Sequence, residues 1–430
     1  MTPAGPRQPQ SPSPEPVVGP GPAKGGTPAG IEWLDGGITA VPGILAAGLH
    51  CGIKTGSARD LALVYSSAPA TAAGVFTTNQ VVGAPVKVSR ERLRGGVVQA
   101  IVASSGCSNV ATGEQGLRDA REMTEIVAKQ LRIPDARVLV ASTGVIGRPL
   151  PMDKIRAGLP KLVKALSPQG GRHAAEGIMT TDTHPKEAAV RVDMGGRPIT
   201  LGGISKGTGM IHPMMATMFC FVATDLAVER DALQAAIRRA VGGSFNRISV
   251  DGDQSTSDTV VILANGLAEN RPLARGDRRL RPFQQALDAL TQRLAVMQVR
   301  DGEGATLVID IRVRGAKTRR DAEAAARAVA NSPLFKTAMA GRDPNWGRVV
   351  SAVGASGAAV QEERLAIWYG EEQVAQQGKL REGVSWERVK AELAKPTVTL
   401  TVDLGLGTAQ DHVWTCDLTA DYVKINAGTS

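Results

Sequence analysis

The chain has 430 residues, 43% of them hydrophobic and only 3% aromatic, so it is long enough for two or three packed layers or two joined domains around an aliphatic core. Its net charge of +9 is spread in short blocks such as residues 275–281, with no aromatic residues interleaved, which describes a solvated basic face and argues against a nucleic-acid partner. Four well-separated cysteines and five scattered histidines make no zinc pattern and suit a reducing, cytoplasmic setting, and neither a signal peptide nor an apolar run of about 18 residues suggests a membrane.

Residues 1–30 are rich in Pro, Gly and Ser and nearly free of large apolar side chains. Such a segment buries too little surface to offset its ordering entropy, so a disordered tail is expected, with the folded body starting near Ile31. Residues 61–65 and 97–103 read as strands. Leu117, Ala120, Met123, Val127 and Leu131 recur at steps of three and four, which predicts a helix over 116–132. A buried strand is expected at 137–141 and a helix at 152–166. Alternation from Val190, the pair Gly195-Gly196, then Ile199 and Leu201 predict a hairpin. Further strands are expected at 218–223, 260–263, 307–313, 397–404 and 412–418, and further helices at 229–241, 283–297 and 319–330. Hairpins mixed with helices predict an α/β body, a layered sandwich of mixed or antiparallel sheets flanked by helices rather than a doubly wound parallel sheet.

Several segments carry chemistry-bearing residues. Asp251, Asp253, Ser255 and Ser257 have the spacing of a calcium loop, but Thr256 and Ile262 stand where Gly and Glu are required, so a hydrogen-bonded turn is the better reading. Residues 202–210 are Gly-rich around Lys206 without the spacing of a phosphate loop. His212 has no acid or nucleophile at a telling distance, and Thr217, within an apolar run, reads locally as a strand residue. Residues 141–147 end a strand in Ser142, Thr143 and Gly144, a place where backbone N–H groups can meet an oxyanion. Glu303 lies between two glycines on a tight turn, and residues 342–348 are dense in polar and turn residues.

In series, these segments resemble the ornithine acetyltransferase (glutamate N-acetyltransferase) family. The matching pieces include 74–79, 112–116, 142–147, 179–183, 206–210, 215–218, 245–253, 300–306, 342–348 and 422–426, in the right order from about Gly36 onward. The resemblance implies a self-processing fold with an N-terminal threonine. It places cleavage between Ala216 and Thr217, giving an alpha chain of 31–216 and a beta chain of 217–430. It implies acetyl transfer from N-acetylornithine to glutamate, releasing ornithine, through an acetyl-Thr217 intermediate in arginine biosynthesis. Acetyl-CoA is a possible co-substrate, with no bound cofactor and no metal. Thr143 and Gly144 are implied to hold the oxyanion. Thr180, Lys206, Thr217, Glu303, Asn426 and Ser430 are implied to meet substrate, with Lys206 expected on a carboxylate and Glu303 near an ammonium. The assembly implied is a heterotetramer of two alpha and two beta chains. Cys107, Met214 and Leu307 depart from the family pattern. The alternative readings are a related self-processed amidohydrolase or aminopeptidase, in which the same nucleophile serves with water as acceptor, and an uncleaved non-catalytic homologue.

Overall fold

The computed structural model describes residues 30–212 and 218–428. The expected tail over 1–29, Met214, Ala216, Thr217 with the cleavage position, and Ser430 lie outside the described residues.

Nine strands make the first sheet: β1 (Ile31–Leu34), β2 (Ile44–Leu49), β3 (Leu61–Phe76), β4 (Val97–Cys107), β5 (Val138–Val145), β6 (Lys186–Asp193), β7 (Pro198–Lys206), β8 (Phe219–Thr224) and β9 (Thr259–Ala264). Their order is β1-β6-β7-β8-β9-β3-β4-β5, with β2 added against β3. The strand expected over 61–65 continues to Phe76. Its first part pairs with β2 and β4 and its last part with β9, the ladder shifting between Tyr65 and Ala70. Pro69 falls in that gap, where a residue without an N–H costs no ladder bond.

Alternate residues of these strands serve opposite faces. Leu61 and Leu63 pack with Ala100 and Val102 against α2 (Gly113–Leu131) and α3 (Met152–Lys164), which follow α1 (Ala84–Leu93). Their neighbours Ala62 and Val64 join Ile204, Phe219, Phe221 and Val261 in an inner cluster. On the other half of the sheet Cys220 and Val222 face α5 (Arg230–Gly242) and α6 (Leu280–Arg300), which follow α4 (Gly171–Ile178). The two halves of one sheet therefore stack face to face, with helices on both outer sides.

A second, six-stranded sheet follows in the order β13-β12-β11-β14-β10-β15. Its members are β10 (Val308–Ala316), β11 (Ala366–Tyr369), β12 (Glu372–Gln376), β13 (Lys379–Leu380), β14 (Thr397–Asp403) and β15 (Ala409–Cys416). The helix α7 (Arg319–Ala330) lays Ala322, Ala326 and Val329 on it, and α8 (Pro333–Ala340), α9 (Trp346–Gly354) and α10 (Trp386–Leu393) add to the same core. Thr318 opens α7 with a capping box shared with Asp321. The last helix, α11 (Ala420–Ala427), carries Asn426. Parallel pairs β4–β5, β8–β9 and β10–β14 stand among antiparallel ones, so the architecture is α/β with mixed sheets flanked by helices.

Candidate active site

Thr143 and Gly144 sit at the end of β5, paired in parallel register with Ser105 and Gly106 of β4. Gly144 has φ +125°, and a Cβ there would lie 2.4 Å from the Gly106 carbonyl carbon. Only glycine fits, both because of the left-handed φ and because the two strands approach so closely. Thr143 is 1% exposed and Lys206, at the end of β7, is 2% exposed. The Lys206 ammonium donates to Thr180 Oγ1 at 2.7 Å and to Thr143 Oγ1 at 3.3 Å. Three residues far apart in the chain thus meet at one buried cation. Burial pulls the Lys206 pKa down, Asp182 opposes that, and the Lys186 ammonium reinforces it.

Beneath this group lies a cradle of buried charge. Asp182 Oδ1 accepts from Lys186 Nζ at 2.7 Å and from the Gly207 N–H at 2.8 Å, while Oδ2 accepts from the Thr180 N–H at 2.9 Å. Lys186 also donates to Asp301 Oδ2 at 2.5 Å. Asp301 in turn receives the Thr183 N–H at 3.0 Å and the Thr183 hydroxyl. Burial alone would raise the Asp182 pKa, but Lys186, Lys206 and the hydrogen bonds outweigh it and hold the carboxyl well below the ordinary carboxylate range. The cradle keeps Thr180 and the Lys206-Gly207 backbone in place from one carboxylate.

Glu303 stands on the other side of the 206–210 loop. Its N–H bonds the Thr208 carbonyl at 3.0 Å, and its carboxylate would crowd any side chain at Gly209, whose Cβ would come within 2.5 Å of Cδ. Asn426 Nδ2 donates to Glu303 Oε2 at 2.7 Å. The acidic stretch is a turn: Asp251 accepts the N–H groups of Met210, Ile211 and Asp253, and Tyr422 of α11 donates to it at 3.3 Å. Asp258 is fully buried, with Oδ1 taking the Met218 N–H at 2.9 Å and Oδ2 without a hydrogen-bond partner among the described residues. Burial drives its pKa well above the ordinary range. His212 is half-buried, its Nδ1 has no hydrogen-bond partner among the described residues, and burial lowers its pKa.

The structure therefore brings Thr143, Gly144, Thr180 and Lys206 into one wall and Glu303 with Asn426 into another. Lys206 feels the Glu303 charge, which links the two. Asp182, Lys186, Asp301 and Asp258 were not singled out in the sequence. Asp182 and Asp301 lie inside the matched segments 179–183 and 300–306, and a charged residue among hydroxyls and glycines was the signal available for them.

Buried hydroxyls, a desolvated ammonium and a carboxylate on the neighbouring turn make a candidate enzyme site for a small polar molecule. The ArgJ family model matches residues 45–429, and the chain belongs to the ArgJ family. An arginine biosynthesis bifunctional protein ArgJ from Symbiobacterium thermophilum is 50% identical over 400 residues, 92% of this chain and 99% of that protein. The protein of the same name from Caldanaerobacter subterraneus is 45% identical over 400 residues, again 92% and 99%. Among solved structures, ornithine acetyltransferase from Mycobacterium tuberculosis, complexed with ornithine, is 41% identical over 43% of this chain and 98% of that chain, with a TM-score of 0.41.

Proposed function

We propose that this protein is a glutamate N-acetyltransferase of arginine biosynthesis, moving acetyl from N-acetylornithine to glutamate through an ester on Thr217. The observation that carries the reading is the Lys206 ammonium shared by the Thr143 and Thr180 hydroxyls, at the end of a strand only eleven residues before Thr217. Membership of the ArgJ family supports it, and so does the name of its relatives, arginine biosynthesis bifunctional protein.

In this reading the chain cuts itself between Ala216 and Thr217. A threonine hydroxyl is a poor nucleophile near pH 7 and needs a base. Cleavage supplies one, because the new α-amine titrates at about 7.7–8.0 and is partly neutral at that pH. The hydroxyl attacks the acetyl carbonyl as the amine takes its proton, and the carbon's new oxyanion is stabilised at Thr143 and Gly144. One such donor is worth about 2.7–4 kcal/mol. Ornithine leaves with the proton as a free amine. The glutamate amine then attacks the ester and regenerates the hydroxyl. Lys206 takes a substrate carboxylate and Glu303, steadied by Asn426, a substrate ammonium, with Ser430 a further substrate-binding residue. Acetyl-CoA is the candidate for a second donor. The fragments 1–216 and 217–430 stay together as a heterotetramer in the cytoplasm.

Intact mass spectrometry before and after incubation with N-acetylornithine tests this. The expected result is two fragments, the second starting at Thr217 and gaining about 42 daltons, the acetyl adduct of a covalent intermediate. One uncut chain that never gains mass marks a non-catalytic homologue. An acetyl-enzyme that passes its acetyl group to water faster than to glutamate marks an amidohydrolase.

A further inference from the structure

Lys54 was not among the site candidates, yet it contacts the neighbours of two parts of the first wall, Gly106 beside Gly144 and Met179 beside Thr180. Its position is fixed from below. The buried Asp60 carboxylate gathers the N–H groups of Cys51, Gly52, Ile53 and Lys54 at 2.7, 3.0, 2.7 and 3.1 Å. The Asp60 carbonyl accepts the Ser105 N–H at 2.9 Å, tying the same turn to β4. The Lys54 stem then packs over Gly106, where a Cβ would lie 3.0 Å from Lys54 Cγ, and Gly106 is the register partner of Gly144. Its ammonium reaches across to donate to the Arg59 carbonyl and to the Met179 carbonyl, each at 2.7 Å.

Met179 is the residue that ends α4 and leads into Thr180. Carbonyls at a helix C-terminus lack intrahelical partners and carry the negative end of the dipole, so a lysine ammonium is well placed there. A ring of contacts results. It runs from Thr143 and Gly144 through Gly106 to Lys54, on to Met179 and Thr180, and back through Lys206 to Thr143. Without Lys54, the remaining anchors of Thr180 are its N–H on Asp182 and its hydroxyl on Lys206.

We propose that Lys54 is a positioning residue that sets the distance between the Thr180 loop and the Thr143–Gly144 wall, and thereby the width of the pocket for the acyl donor. It acts through Met179 and touches no reacting atom. The proposal deepens the acetyltransfer reading, and its test separates the two.

The test compares wild type with Lys54→Met, which keeps the stem over Gly106 and removes the donors, and with Lys54→Arg, which restores charge and donors. Hydrogen exchange of the peptide over 179–183 is expected to quicken about tenfold in Lys54→Met, as two charge-assisted bonds are lost, with peptides from β4 and β5 unchanged. The KM for N-acetylornithine is expected to rise about tenfold, with kcat within about threefold, and Lys54→Arg to recover part of both changes. Unchanged exchange over 179–183, or an unchanged KM, overturns the proposal. Should Lys54→Met fail to accumulate as folded protein, Lys54→Gln is measured under the same criteria. Because exchange is read on resting protein, wild type without acetyltransfer sinks the functional reading and leaves the role of Lys54 to be decided by exchange alone.

Discussion

Replacing Asp182 with asparagine probes the cradle most directly. The carboxylate side chain is fully buried and answers three donors: Lys186 Nζ at 2.7 Å, the Gly207 N–H at 2.8 Å and the Thr180 N–H at 2.9 Å. An asparagine keeps one acceptor oxygen and turns its NH2 toward at least one of those donors. Breaking one side of a buried pair costs about 3–5 kcal/mol. Lys186 retains Asp301 at 2.5 Å, which places the expected loss near the lower end, about 3 kcal/mol. Urea unfolding at pH 7, followed by circular dichroism, measures it as a lowered midpoint at unchanged slope. The pH dependence has a definite sign. A carboxyl held below its ordinary pKa contributes stability that is fully present above the unfolded value of about 3.9 and is lost as pH falls through the folded value. Wild type and variant should therefore differ at pH 7 and converge in acid. A loss under about 1 kcal/mol at pH 7, in the range of an exposed pair, would refute the claim that this carboxylate organises the site.

Three further outcomes are expected. Thr143→Val removes the hydroxyl while keeping the shape, so kcat should drop about 100- to 1,000-fold, with KM changed far less, in steady-state acetyltransfer assays. Burial chiefly, with the Lys206 charge and against Asp60 and Asp182, pulls the Lys54 pKa down to about 8; the kcat/KM profile of wild type should fall on the alkaline side of that value as the ammonium loses its charge, and Lys54→Met should lack that limb. Thr318→Ala deletes the side-chain half of the α7 capping box, far from the site in the second sheet's layer, and should cost about 1 kcal/mol in urea unfolding without changing kcat or KM.

Much of the scaffold was legible along the chain. The helix over 319–330 and the hairpin turning at Gly195-Gly196 were expected where they stand, because periodicity of small and apolar residues records which face of an element is covered. The helix expected over 116–132 begins three residues earlier, at Gly113. The continuation of β3 past Pro69 was not legible, since proline interrupts the alternation and pairing with β4 at Ala70 and Thr71, then with β9, carries the strand onward. Nor was α4, short and with a buried face mostly of Gly and Ala, which borrows its stability from β2 and β3.

By itself the sequence determined the α/β class, most of the helices and strands, and a set of hydroxyl, glycine, lysine and glutamate candidates strung along four hundred residues. Only the tertiary structure decided which of them meet: Lys206 with Thr143 and Thr180, Asp182 with Lys186 and Asp301, and Lys54 with Met179. The reason is physical. A hydrophobic pattern is written locally, because burial is a property of one face of one element. A buried charge is stable only beside its partner, and that partner is named by the crossing of distant strands rather than by any neighbour in the chain.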